Sequence, residues 1–248
     1  MPENRLENIP ESRSENVPEN SSQRDPQNKP NITHVIFDFD GLLLDTEPIY
    51  CRVNEIIAQR YGKVFTREVH RKIMGRQAID CARILVEVLD LPLSAEEHLQ
   101  ARDELIFDML PDAKPMPGAR AITQWFYEQK VPMAIATSSA EVTFNLKVRR
   151  YADWLDTFDA IVLGSDSEVK ASKPAPDSFL VAAARLGANP ANCLVFEDSP
   201  AGVRAGKTAG MSVVAVPAAH MSRALYHEAD EILAALAAFN PTRWGISP

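Results

Sequence analysis

Two hydrophobic periods alternate along this chain. Short apolar runs occur at His34 to Phe37, Pro132 to Ala136, Ala160 to Leu163, Cys193 to Phe196 and Ser212 to Val216. Runs this short, β-branched-rich and bounded by polar residues, predict strands buried on both faces, as in a parallel sheet. Between them, Pro117 to Lys130, Ala140 to Arg150, Pro176 to Leu186 and Pro200 to Ala209 space their apolar residues at the helical period. Pro117, Pro176 and Pro200 fit near helix starts, and Gly187 and Gly210 fit as helix stops. Strand and helix in strict alternation predict an α/β fold: a doubly wound, Rossmann-like parallel sheet with helices on both faces.

One region breaks the alternation. From about Pro48 to Lys114 the pattern is helical throughout, over Ile49 to Tyr61, Arg67 to Met74, Ala78 to Leu89 and Ala95 to Leu110. The expected organisation is a core of residues 31–47 and 115–248 with a small all-helical cap, residues 48–114, inserted after the first strand. An insert there sits above the carboxyl ends of the sheet, the position of a lid, which is preferred over a merely stabilising appendage because the first strand precedes it so closely. Residues 1–30 are different again. Proline recurs at Pro2, Pro10, Pro18 and Pro26 in a polar eight-residue repeat, which cannot bury a face and predicts a disordered tail.

Composition narrows the class. The formal net charge of −8 argues against broad binding to a nucleic-acid backbone, though not against one small phosphorylated substrate. No apolar stretch reaches the length of a membrane span, and the polar N-terminus lacks the apolar segment of a secretory signal. Cys51, Cys81 and Cys193 are far apart and odd in number, as in a reducing compartment. A cytoplasmic protein is expected, with no membrane, nucleic-acid or obligate protein partner.

Four predicted strands or loops end in polar groups: Asp38 and Asp40 after the first strand, Thr137-Ser138-Ser139 after the second, Lys173 in a loop before a helix, and Glu197-Asp198-Ser199 after the fourth. Each alone is more often a turn or a helix cap. Together, on one rim of a parallel sheet, they gather carboxylates, a hydroxyl and a lysine where such sheets bind ligands. Carboxylates crowded together repel, and a hard divalent cation relieves that; oxygen-only ligands favour Mg²⁺.

These motifs resemble those of the haloacid dehalogenase-like hydrolases with a helical cap. The likeness runs from about Ile32 to the C-terminus and rests on DFDGLLLDTE (Asp38 to Glu47), Thr137, Lys173 in KPAPD, and VFEDSPAGVRAGKTAG (Val195 to Gly210). It implies that Asp38 is a nucleophile forming an aspartyl-phosphate, and that Asp40 is the general acid–base. Mg²⁺ would be held by the Asp38 carboxylate, the Asp40 backbone carbonyl and the Asp198 carboxylate, with Glu197 acting from behind them or through a water. Thr137 and the Ser138 backbone N–H would bind phosphoryl oxygens, and Lys173 would offset charge on nucleophile and phosphate. An intact Asp40 with Asp198 points to phosphate chemistry over dehalogenation.

Within that family the chain most resembles a group containing pseudouridine-5′-phosphatases and glycerol-3-phosphatases, through the first strand motif, Ile73-Met74-Gly75-Arg76 and Trp244-Gly245. The implied activity is a phosphomonoesterase for a small phosphorylated metabolite, pseudouridine 5′-phosphate first, with glycerol 3-phosphate or a sugar phosphate as alternative. The same fold also accommodates a phosphomutase, or a non-catalytic binding or scaffold protein. Arg76 is either a substrate contact or a surface residue beside a turn glycine. Glu47 is either part of a cap hinge or a first-turn helix acid.

Overall fold

The computed structural model describes residues 31–73 and 78–246. Its centre is a six-stranded sheet, every neighbouring pair parallel. The strands are β1 (His34–Phe37), β4 (Met133–Ala136), β5 (Ala160–Val162), β6 (Cys193–Glu197), β7 (Ser212–Ala215) and β8 (Glu231–Ile232), in spatial order β5-β4-β1-β6-β7-β8. The order reverses direction at β1, the strand that leads into Asp38. That is the switch point at which doubly wound sheets open a crevice for ligands.

Successive β1 side chains enter opposite layers, as the two-residue period of a strand requires. Val35 and Phe37 join one core with Ile122 and Phe126 of α5 (Ala119–Glu128), Phe144 and Val148 of α6 (Glu141–Val148), and Trp154 of α7 (Ala152–Leu155). Ile36 joins the other with Phe179 and Ala182 of α8 (Asp177–Arg185) and Val203 and Ala205 of α9 (Pro200–Thr208). All three β1 residues are fully buried, each worth about 1.5–3 kcal/mol relative to an exposed position. The Phe37 ring stacks on Phe196 at 4.9 Å, locking β1 to β6 immediately before the polar strand tips.

The insert leaves and re-enters the core through a two-stranded antiparallel pair, β2 (Leu44–Asp45) and β3 (Lys114–Pro115). Between them lie α1 (Glu47–Arg60), α2 (Arg67–Ile73), α3 (Ala78–Val88) and α4 (Ala95–Met109). They bury a separate core that includes Val53, Ile57, Val69, Leu85, Ile106 and Leu110. Helix α4 starts at a reciprocal capping box between Ser94 and Glu97, which satisfies two otherwise open backbone donors. Helix α1 begins at Glu47, one residue before the expected insert boundary. The pair β2–β3 and the edge strand β8 were not predicted, since two-residue strands carry no readable periodicity. Among the described residues no helix is long and apolar enough to cross a membrane.

Candidate active site

Parallel pairing brings the carboxyl ends of β1, β4 and β6 to one rim. Phe37 lies beside Ile135 and Phe196 in register, and the Asp38 backbone N–H continues the ladder by donating to the Phe196 carbonyl at 3.0 Å. The next one to four residues after each strand's register partner therefore share one crevice. Asp38 and Asp40 arrive from β1, Thr137 and Ser139 from β4, Glu197 and Asp198 from β6.

Lys173, from the loop before α8, crosses beneath them. Its buried ammonium donates to Asp38 Oδ1 at 2.5 Å, Glu197 Oε1 at 2.7 Å and the Ala136 carbonyl at 3.0 Å, using all three of its hydrogens. It also lies 4.6 Å from the centre of the Phe179 ring. Burial lowers a lysine's proton affinity, but Asp38 and Glu197 outweigh it, so Lys173 is held as a cation well above its ordinary range. The other Glu197 oxygen accepts from the backbone N–H and hydroxyl of Ser199, the residue that caps α9. Both Glu197 oxygens are thus engaged by the protein, in keeping with a supporting position. A side chain at Gly202 would occupy the same space as the Glu197 carboxylate, with a Cβ 1.8 Å from it.

Asp198 faces Gly41. A Cβ on Gly41 would fall 2.2 Å from Asp198 Oδ2, and Gly41 also has φ +83°, so the turn after Asp40 requires glycine twice over. The Tyr226 hydroxyl anchors the Asp198 backbone carbonyl at 2.7 Å. Burial pushes the Asp198 carboxyl well above its ordinary value, with Glu197 and Asp38 adding repulsion. Burial likewise pushes Asp38 up to about 7, against the pull of Lys173. Carboxylate oxygens of Asp38, Glu197 and Asp198 lie within 4.8 Å of one another. Three acids facing one ammonium leave an excess of negative charge in a buried crevice. This oxygen-only, under-neutralised set fits a hard divalent cation.

A second ion pair, unforeseen in the sequence, flanks the first. Lys147 of α6 has no exposed side-chain surface, and its ammonium lies 2.6 Å from Asp40 Oδ1 and 2.6 Å from the Ser139 hydroxyl. The Ser139 hydroxyl donates to Asp40 Oδ2 at 2.7 Å, and that of Thr137 at 3.3 Å. Burial alone raises an aspartate, but the Lys147 charge and the hydroxyl donors of Ser139 and Thr46 hold Asp40 below its usual range. Thr137 is therefore engaged with Asp40, while Ser138 is exposed and Arg76 lies outside the described residues. One signal for Lys147 was present: it lies three residues after buried Phe144 and one before buried Val148, on the inner stripe of its helix. A lysine on such a stripe needs a buried anion.

Fold and site together define an α/β enzyme with a carboxylate–lysine centre at the switch point of a doubly wound sheet. The sequence profile of the haloacid dehalogenase-like hydrolases matches residues 35–216. The chain belongs to that family. It is 43% identical over 225 residues to "(DL)-glycerol-3-phosphatase 2" of Arabidopsis thaliana, covering 89% of this chain and 94% of that one. It is 42% identical over 218 residues to "Probable pseudouridine-5'-phosphatase" of Drosophila melanogaster, covering 87% and 94%. The fold also matches a crystal structure of a family hydrolase from Deinococcus radiodurans R1 with bound phosphate and sodium. That likeness has a TM-score of 0.71 and 23% identity, and covers 86% of this chain and 95% of that one.

Proposed function

We propose that the protein is a Mg²⁺-dependent phosphomonoesterase acting on a small phosphorylated metabolite through an aspartyl-phosphate on Asp38. The observation that carries this reading is the shared ammonium of Lys173, 2.5 Å from Asp38 and 2.7 Å from Glu197, beside the third carboxylate of Asp198. An anionic carboxylate attacks an anionic phosphate only where positive charge offsets their repulsion. Lys173 is the protein's own contribution. The Asp38 and Asp198 carboxylates and the Asp40 backbone carbonyl would hold Mg²⁺, which would supply the rest of the positive charge.

In the first step an Asp38 oxygen bonds to phosphorus and the ester P–O bond breaks, the leaving oxygen taking a proton from Asp40. In the second, water attacks phosphorus, Asp40 takes its proton, and the Asp38–phosphorus bond breaks to release phosphate. Lys147 keeps Asp40 ionised in the free protein, which suits the second step. For the first, the incoming phosphate dianion raises the proton affinity of the nearby Asp40 by like-charge repulsion. The Thr137 hydroxyl turns to a phosphoryl oxygen once the substrate competes with Asp40 for it, and the Ser138 N–H donates to another.

The core contacts only the phosphoryl group, so the helical insert, acting as a lid over the rim, selects the rest of the substrate. Pseudouridine 5′-phosphate is the first substrate to assay. Glycerol 3-phosphate is its direct competitor, because relatives named for each are almost equally similar to this chain. The deciding experiment measures free phosphate released from these two, from sugar phosphates and from common nucleotides, with and without Mg²⁺, by the native chain and Asp38→Asn. Mg²⁺-dependent release lost in the variant is expected. Isomerised product that depends on a sugar bisphosphate would instead indicate a phosphomutase, and no turnover of any compound would indicate a scaffold.

A further inference from the structure

A second cluster of ligand-type side chains lies beside the β2–β3 hinge, starting one residue after Thr46, whose hydroxyl reaches Asp40. Glu47 and Cys51 stand one turn apart on α1, and His70 comes from α2. Their donor atoms all lie within 4.8 Å of one another. Cys51 Sγ is 3.4 Å from His70 Nε2, which is 3.5 Å from Glu47 Oε1. His220, from the core segment after β7, reaches the same Glu47 oxygen with its Nε2 at 3.5 Å, its ring centre 6.1 Å from that of His70.

We propose that Glu47, Cys51, His70 and His220 form a transition-metal site of the zinc type that ties the helical insert to the core. A carboxylate, a thiolate and two imidazoles make up a four-donor set of the kinds zinc takes. Zinc bonds of about 2.0–2.3 Å in a tetrahedron place neighbouring donor atoms about 3.3–3.8 Å apart. The three contacts above fall in that interval; Glu47, Cys51 and His70 are mutually within 4.8 Å, while His220 meets the trio through Glu47 and turns toward the other donors to complete the set. Both imidazole–carboxylate contacts are longer than ordinary N–H···O hydrogen bonds, and only the Cys51–His70 contact is a hydrogen bond, to sulfur. The cluster is also separable in chemistry from the Asp38 site: it offers sulfur and nitrogen, which soft and borderline metals prefer, where the Asp38 crevice offers only oxygen. Binding displaces the Cys51 thiol proton to solvent as the sulfur–metal bond forms. Because three donors come from the insert and His220 from the core, a bound ion holds the two parts together at their hinge and slows every step that needs them to part.

The test uses the full-length, tag-free, metal-stripped protein with Mg²⁺ in excess to fill the oxygen site. Cobalt(II) is the spectroscopic probe, and zinc is titrated by calorimetry. One equivalent of cobalt is expected to give the thiolate-to-metal charge-transfer absorption, absent in Cys51→Ser. Zinc affinity is expected to fall at least tenfold in Cys51→Ser and in His220→Ala. Zinc is expected to slow phosphate release by the native chain severalfold while affecting His220→Ala much less. His220 is half exposed on a core segment, so its variant keeps the fold, which thermal melts verify. Cobalt binding without a sulfur absorption, or unchanged zinc affinity in His220→Ala, overturns the proposal. Zinc inhibition equal in both proteins does so too, because it assigns the effect to the oxygen site.

Discussion

Replacing Lys147 with methionine removes a buried cation while nearly preserving side-chain volume. In the native protein its ammonium sits 2.6 Å from Asp40 with no side-chain exposure, and the Asp40 side chain is 26% exposed. Breaking a buried pair by deleting one partner costs about 3–5 kcal/mol, because the other charge is left uncompensated. Partial exposure of Asp40 admits water and trims this to roughly 2–4 kcal/mol at pH 7. The sign of the pH effect follows from the carboxyl. Native Asp40 is held below its ordinary 3.8, so its contribution is fully present above that value and is lost only as pH falls through the depressed one. Without Lys147, burial dominates and pushes Asp40 upward, so the variant loses stability as pH rises above 3.8 until Asp40 finally ionises. Lys147 itself is raised above its ordinary 10.5 and does not titrate in this range. The native-minus-variant difference should therefore grow between pH 5 and pH 7, by up to about 2.7 kcal/mol for two pH units. Urea unfolding of the metal-free proteins at both pH values measures it. A difference below about 0.5 kcal/mol at both, on the scale of an ordinary surface substitution, would refute the claim that Lys147 neutralises Asp40.

Other perturbations separate the remaining roles. Asp38→Asn should abolish turnover while the protein stays folded, and Asp40→Asn should slow both formation and hydrolysis of the aspartyl-phosphate without losing the metal, as rapid-quench kinetics and Mg²⁺ titration would reveal. Gly41→Ala should weaken Mg²⁺ binding at least tenfold and destabilise the fold by about 1–3 kcal/mol, since it forces an alanine to positive φ and drives a methyl into Asp198; unchanged Mg²⁺ affinity would show that Asp198 is not a ligand. Deleting residues 1–30 should leave kcat and KM as they are, and a large drop in kcat would make the repeat part of the enzyme.

Local pattern made much of the architecture legible. An apolar strand and an amphipathic helix are each encoded within some four to a dozen neighbouring residues, so β1, β4, β6 and the helices between them could be read from their own segments. Gly187 and Gly210 end α8 and α9 with φ of +65° and +78°, the left-handed turn that glycine supplies without strain. That Asp38, Asp40, Lys173 and Asp198 share one rim could be read ahead because each stands at a strand tip or in a loop before a helix, and a parallel sheet sends all its strand tips to one rim. What the tertiary structure alone decided is who faces whom. Lys173 and Asp38 are 135 positions apart, and nothing in either segment says that one ammonium serves Asp38, Glu197 and a strand carbonyl together. The buried lysine of α6 found Asp40, and His220 found Glu47, through the packing of segments distant in sequence. Such pairings depend on distances and desolvation that exist only after the layers close, whereas periodicity and strand-end chemistry are properties of the chain before it folds.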